Sequence, residues 1–142
     1  MPLANHRLIG LDSNVIAYLV DDHPTFGGAA AAVVDAIERG EVDGVMASLA
    51  IAEVLAGPAR TGDAPAFERT ADALRRLRIR VVDLDAELAA DAAWLQGSIG
   101  GGAADAIHLA TARRSGATAF VTNDRRIRSI PRLEVVYLDE IA

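Results

Sequence analysis

Apolar residues fall along the chain in two recurring patterns. Short, mainly apolar runs, Leu8 to Leu11, Gly44 to Ala47, Ile79 to Leu84, Ala119 to Val121 and Leu133 to Tyr137, have the length and composition of buried strands. Between them lie longer stretches whose apolar positions recur at helical spacing. Asn14 to Val20 predicts a helix with Ser13 as its N-cap and Asp21 to Pro24 as its end. Phe26 to Arg39 is Ala-rich, carries Val33, Val34 and Ile37 at helical spacing, and meets Gly40 where a terminating glycine belongs. Ser48 is a favoured N-cap for a helix over Leu49 to Ala56, with Gly57-Pro58 closing it. Thr61 to Ala64 reads as a loop, and Ala66 to Leu77 as a helix turning Phe67, Leu74 and Leu77 inward. Asp85 caps a helix that runs through Leu88, Trp94 and Leu95. Gly100-Gly101-Gly102 then interrupts the chain, and Ala103 to Ser115 is helical up to Gly116.

Strands that alternate with helices, and that are mainly apolar, predict a parallel sheet covered on both faces. The expected class is α/β: a three-layer α/β/α sandwich around a central, largely parallel sheet of about five strands. Its 142 residues suit one domain, residues 1–142, and a chain of that size needs no covalent staples. In such sheets ligands bind beyond the carboxyl ends of the strands. Asp12 ends the first strand and Asp124 lies just past the Ala119-Phe120-Val121 strand. Both carboxylates are therefore expected at one edge of the sheet.

Composition narrows the chemistry. No apolar run approaches the ~18 residues of a membrane span, and the start, MPLANHRLIGLD, lacks the apolar core of a signal peptide. A cytoplasmic protein with no membrane partner is expected. Cysteine is absent, which excludes disulfides, thiolate zinc sites and Cys nucleophiles. All 14 basic residues are Arg. Without Lys there is neither a P-loop nor Schiff-base chemistry. The net charge of −6 argues against a nucleic-acid partner for the surface as a whole. The charge is uneven, however: Arg113, Arg114, Arg125, Arg126, Arg128 and Arg132 face Asp124 alone within residues 113–132. A local basic surface is thus compatible with an acidic chain.

Four carboxylates stand in apolar surroundings, and each has a bland reading. Asp12, between Leu8–Leu11 and Val15–Val20, could be a helix cap, although Ser13 can do that work. Glu53 is the only charge in SLAIAEVLAG, where it could simply face solvent. Asp105 in GAADAIHLA could answer the helix dipole, and His108 reads as a hydrogen-bonded packing residue. Asp124 in VTNDR could be a turn or cap residue. Taken together, converging anions repel one another and burial disfavours them further, so divalent cations are the natural compensation. Oxygen ligands without cysteine favour Mg²⁺ or Mn²⁺, and such ions suit phosphate substrates.

Four blocks, LIGLDSNVIAYL, SLAIAEVLAGPAR, ADAIHLATARRSGATAFVTND and LEVVYLDEI, resemble in order and spacing the PIN-domain ribonucleases, specifically the VapC-type toxins of type II toxin–antitoxin pairs. The resemblance implies a Mg²⁺- or Mn²⁺-dependent endoribonuclease, a homodimer, an RNA substrate and a cognate VapB-type antitoxin. It places Asp12, Glu53, Asp105 and Asp124 on the acidic metal-binding and catalytic positions. Ser13, Ser48, Thr122, Asn123 and Arg125 would support those acids or touch the substrate. Gly100-Gly101-Gly102 is expected to make a mobile lip beside Asp105. Two alternatives remain: a non-catalytic RNA- or antitoxin-binding module, and a phosphatase of the haloacid-dehalogenase type. The latter is disfavoured by the missing Lys and by the lack of room for a cap domain.

Overall fold

The computed structural model describes residues 2–141. One fully parallel sheet carries five strands in the order β3-β2-β1-β4-β5. They are β1 (Leu8–Leu11), β2 (Asp43–Ala47), β3 (Ile79–Val82), β4 (Ala119–Thr122) and β5 (Glu134–Tyr137). The helices are α1 (Ser13–Val20), α2 (Gly27–Glu38), α3 (Ser48–Thr61), α4 (Ala64–Arg76), α5 (Ala86–Ile99) and α6 (Ala103–Arg114), followed by a 3₁₀ turn at Leu138–Glu140.

Successive strand residues point to opposite faces, so each strand serves two cores. Ile9, Leu11 and Val121 meet Ile16, Val33 and Val54 under α1 to α4. Val45, Phe120 and Val135 meet Leu88, Leu95 and Leu109 under α5 and α6. This is the expected α/β/α sandwich. Chain connections leave β1 toward β2 and leave β4 toward β5, in opposite directions across the sheet. A crevice opens at such a switch point, between the carboxyl ends of β1 and β4.

Gly10 sets the depth of one layer. A Cβ there would lie 2.5 Å from the Ala112 Cβ, closer than carbon atoms approach. Only glycine lets α6 rest on the backbone of β1. That contact seats α6 over the strand that ends at Asp12.

Three local expectations are corrected. Helix α3 continues through Gly57-Pro58 to Thr61 and ends at Gly62, whose φ of +68° is left-handed. Proline removes only its own N–H bond and crowds one carbonyl a turn earlier. Near the end of a helix held against α4 that disturbance is tolerated, and the Thr61 hydroxyl donates to the Pro58 carbonyl at 3.0 Å. The expected Thr61–Ala64 loop shrinks to Gly62 and Asp63, and Asp63 caps α4 by accepting from the Ala66 N–H at 3.0 Å. Finally, Ser13 and Ser48 are the first helical residues rather than N-caps. One residue, Asp12, separates β1 from α1, and β2 runs straight into α3, so the cap positions fall on Asp12 and Ala47.

Side-chain placement also departs in places. On α4, Leu74 and Ala71 are buried, while Phe67 and Leu77 are only half-buried. Trp94 on α5 is 86% exposed. The glycine run is used for helix ends: Gly100, at φ +69°, terminates α5, and Gly102 precedes α6. Gln96 Nε2 donates to the Gly101 carbonyl between them at 3.1 Å. Among the described residues no helix is long and apolar enough to cross a membrane.

Candidate active site

Asp12 occupies the crevice between β1 and β4 and is 5% exposed. Its Oδ1 accepts from the Ser13 N–H at 2.8 Å, and its Oδ2 from the Thr122 hydroxyl at 2.7 Å. Asn14 Nδ2 reaches the same Oδ2 at 3.4 Å and the Thr122 oxygen at 3.3 Å. Thr122 also accepts from the Asp124 N–H at 3.0 Å, so its proton is committed to Asp12. Asn14 Oδ1 accepts from the Asn123 N–H at 3.2 Å, and Asn123 Nδ2 donates to the Tyr18 hydroxyl at 3.2 Å. The carboxylate is thus fixed by groups from both strand ends. Burial nevertheless pushes its pKa up, outweighing His108, Thr122 and Ser13, and the nearby negative charge of Asp105 adds to the rise.

Asp105 sits half-buried in the first turn of α6. One turn on, His108 is 3% exposed. Its Nε2 lies 2.5 Å from Glu53 Oε1 and 3.9 Å from Asp12 Oδ1. Its Nδ1 is buried with no protein partner. Burial alone would lower the His108 pKa. The Glu53 hydrogen bond and the charges of Asp12, Glu53 and Asp105 outweigh it, and the pKa rises. Glu53 is held below its ordinary value by the His108 hydrogen bond, against the effect of its own burial, with a smaller contribution from Ser13. The Glu53 side chain is 37% exposed, so it reaches solvent while it is bonded to His108.

Asp124 follows β4 in a turn and accepts from the Arg126 N–H at 2.9 Å. The Arg126 guanidinium grips the same carboxylate, Nε to Oδ1 at 3.0 Å and Nη2 to Oδ2 at 2.7 Å, and holds its pKa down. Arg125 is turned away. It pairs with Asp139 at 2.6 Å and Glu140 at 3.1 Å, and its guanidinium carbon lies 4.2 Å from the centre of the Tyr137 ring. Ser48 stands half-buried at the start of α3.

The fold therefore brings Asp12, Asp105 and Glu53 to one edge, with Ser13, Asn14, Thr122 and Asn123 around Asp12 and with Asp124 tied in through Thr122. It does not bring Arg125 there. Sequence reading missed three participants: Asn14, His108 as the partner of Glu53, and Arg126 as the partner of Asp124. His108 was legible as an i+3 neighbour of Asp105, but nothing local indicated Glu53 on another helix. Among the described residues no three His, Asp or Glu groups are gathered as a ready metal cage. The donor chemistry still fits a hard cation: all the acids offer oxygen, and Asp12 is raised in pKa beside a second carboxylate. Mg²⁺ is commonly held by only one or two carboxylates, with water and substrate phosphate completing its shell. Asp12 and Asp105 meet that requirement, while Glu53 and Asp124 are each already bonded to a basic side chain, His108 and Arg126.

The PIN domain family profile matches residues 9–133, and the chain belongs to that family. No curated protein sequence matches it. Among solved structures it is similar to VapBC2 from Rickettsia felis bound to a DNA fragment from its promoter. That match has a TM-score of 0.73 at 18% identity over 92% of this chain and 98% of the other. A toxin–antitoxin complex from Klebsiella pneumoniae gives 0.68 at 20% identity over 88% and 94%. VapC20 from Mycobacterium tuberculosis, described as a sarcin-ricin loop cleaving toxin, gives 0.62 at 19% identity over 79% and 86%. At these identities the likeness carries the fold. The family match removes the haloacid-dehalogenase alternative.

Proposed function

We propose that the chain is a single PIN domain acting as a Mg²⁺- or Mn²⁺-dependent endoribonuclease, the toxin of a toxin–antitoxin pair. The observation that carries the reading is the setting of Asp12: a buried carboxylate at the sheet's switch point, fixed by donors from two strand ends and close enough to Asp105 to feel its charge. Asp12 and Asp105 would hold the ion. When bound, the ion supplies a Lewis acid for a phosphate oxygen and a more acidic water. The chain's own part is positional. Ser13 and Thr122 fix both oxygens of Asp12, and Glu53 and Asp124 bring further negative charge to the edge, ready to take a proton from water or to join the ion's shell. Hydrolysis of an RNA phosphodiester follows from that chemistry. A cognate VapB-type antitoxin, a homodimeric toxin and a cytoplasmic site of action belong to the same proposal, supported by the family and by the toxin–antitoxin neighbours.

The test is cleavage of a mixed RNA pool by the purified full chain with Mn²⁺, with EDTA, and by Asp12→Asn with Mn²⁺. Cleavage by the wild type that EDTA and Asp12→Asn both abolish is expected. Equal cleavage by Asp12→Asn would overturn the proposed mechanism. RNA binding without cleavage, and without Asp12-dependent Mn²⁺ affinity, would make the chain a binding module instead.

A further inference from the structure

A cleft of about 670 Å³ opens beside Asp105, between the glycine linker from α5 to α6 and the segment joining β4 to β5. The ribonuclease reading leaves it without a role. We propose that this cleft is a nucleoside subsite, receiving one unstacked nucleotide of the RNA next to the cleaved phosphate. The inference rests on the ribonuclease reading and adds to it the place where base preference is set.

The lining has the two parts that a nucleotide requires. Leu109, Ile127, Ile130 and Pro131 give an apolar floor and wall for the faces of a base. Arg126 and Arg128 give a cationic rim for phosphate. Arg126 is engaged with Asp124, whereas Arg128 has no carboxylate partner among the described residues. The volume lies within the roughly 300–1,000 Å³ of small-ligand sites.

The third wall is Gly100-Gly101-Gly102. It carries no side chains, so only backbone atoms line the cleft there. A Cβ added at Gly100 or Gly102 would meet nothing within 4 Å. This linker thus leaves room where other residues would fill it. Sequence-specific RNA readers take splayed bases into such spaces, with flat groups or Arg planes against the ring and polar edges for hydrogen bonds.

The position also selects the ligand. Asp105 lines the inner end, so a small anion entering alone meets a carboxylate. A nucleotide avoids that conflict by placing a neutral base on the apolar floor and its phosphate at the arginines. A strand that runs from Arg128 past Asp105 would deliver the next phosphate toward Asp12.

The test uses the full chain in EDTA, which withholds the ion and keeps the RNA intact, and an RNA carrying 4-thiouridine at successive positions. Irradiation and peptide mapping should place the crosslink from one position within residues 98–102 or 126–131. In parallel, Ser98→Trp, which fills the cleft from its exposed rim, and Arg128→Ala are used in cleavage of a randomised RNA pool. Each should flatten the preference at one base beside the cut by about tenfold, with Mn²⁺ affinity unchanged. Crosslinks confined to other parts of the chain, or base preferences unchanged in both folded variants, would overturn the subsite. A wild type that never cleaves would instead overturn the ribonuclease reading, and the crosslink map would still decide the cleft.

Discussion

The acids at the sheet edge are held in two different ways. Asp12 is anchored: it is buried, and neutral donors from both strand ends fix both of its oxygens. Glu53 and Asp124 are tethered: each is partly open to water and bound to a single basic side chain, His108 or Arg126. His108, 3.9 Å from Asp12, answers part of the anchored charge, but burial outweighs it and the pKa rises. A tethered carboxylate has its charge answered inside the chain, and both tethered acids are lowered. On the proposed function, the anchored acid waits for an external cation, and the tethered acids exchange a bond within the chain for it.

The sharpest way to break this contrast is to neutralise an acid of each kind. Asp12→Asn keeps the shape and removes the charge. The proposed mechanism puts transition-state charge stabilisation of several kcal/mol on that position, so RNA cleavage should fall by more than about 100-fold. Glu53→Gln should cost less. Equal losses would show that anchoring makes no difference. Thr122→Val comes next. It leaves the Asp12 charge but removes the donor to Oδ2, and groups that orient a metal ligand are worth about 10–100-fold in affinity or activity. Mn²⁺ titration by calorimetry, alongside cleavage rates, measures both. A Thr122→Val protein with wild-type Mn²⁺ affinity would mean that the hydroxyl only closes the strand ends.

The anchored half was more legible in the sequence than the tethered half. Asp12 could be placed at the edge because it ends a short apolar run and strand direction does the rest; the position of tethered Asp124 was read the same way, but its partner was not. Local patterns also located every strand. They failed where a contact spans the chain. Nothing near His108 announces Glu53, because the two lie 55 residues apart on helices that only the tertiary fold brings together. Arg125 and Arg126 are adjacent, and which of them turns to Asp124 is decided by Asp139, Glu140 and Tyr137, which draw Arg125 away. The helix boundary at Gly57-Pro58 was misread because proline breaks isolated helices more reliably than ones held by a neighbour.

A smaller effect is expected at His108. Its raised pKa adds stability that is complete below the ordinary value of 6.5 and is lost as pH climbs through the folded value. The lowered pKa of Glu53 adds stability that is complete above 4.5 and is lost as pH falls through its folded value. The pair therefore contributes most between 4.5 and 6.5. Asp12 has the opposite sign: its raised pKa removes stability as pH rises above 3.8. His108→Leu keeps the bulk and deletes the cation. Its unfolding midpoint in urea should fall more at pH 5.5 than at pH 8.5. Because Glu53 is half-open, the difference should be no more than about 1 kcal/mol. A loss that is the same at both pH values would make His108 a packing residue only.

The weakest tether gives the most discriminating test. The Arg126 side chain is 86% exposed, so its hold on Asp124 is formed in water and screened by salt. Arg126→Ala should tighten Mn²⁺ binding only a few-fold, and less at high salt than at low. Loss of a nearby positive charge would help any cation, however, so the single variant does not show that Asp124 is the group released. The cycle with Asp124→Asn separates the two causes. If Arg126 acts by occupying Asp124, removing it in the Asp124→Asn background should gain almost nothing. If it acts only through its general field, the gain should survive. Weaker Mn²⁺ binding by Arg126→Ala at every salt concentration would overturn the exchange altogether. RNA affinity should move the other way, because the same guanidinium lines the cleft beside Asp105. A variant that binds the ion more tightly and RNA less tightly would identify Arg126 as the residue that trades one charge for the other.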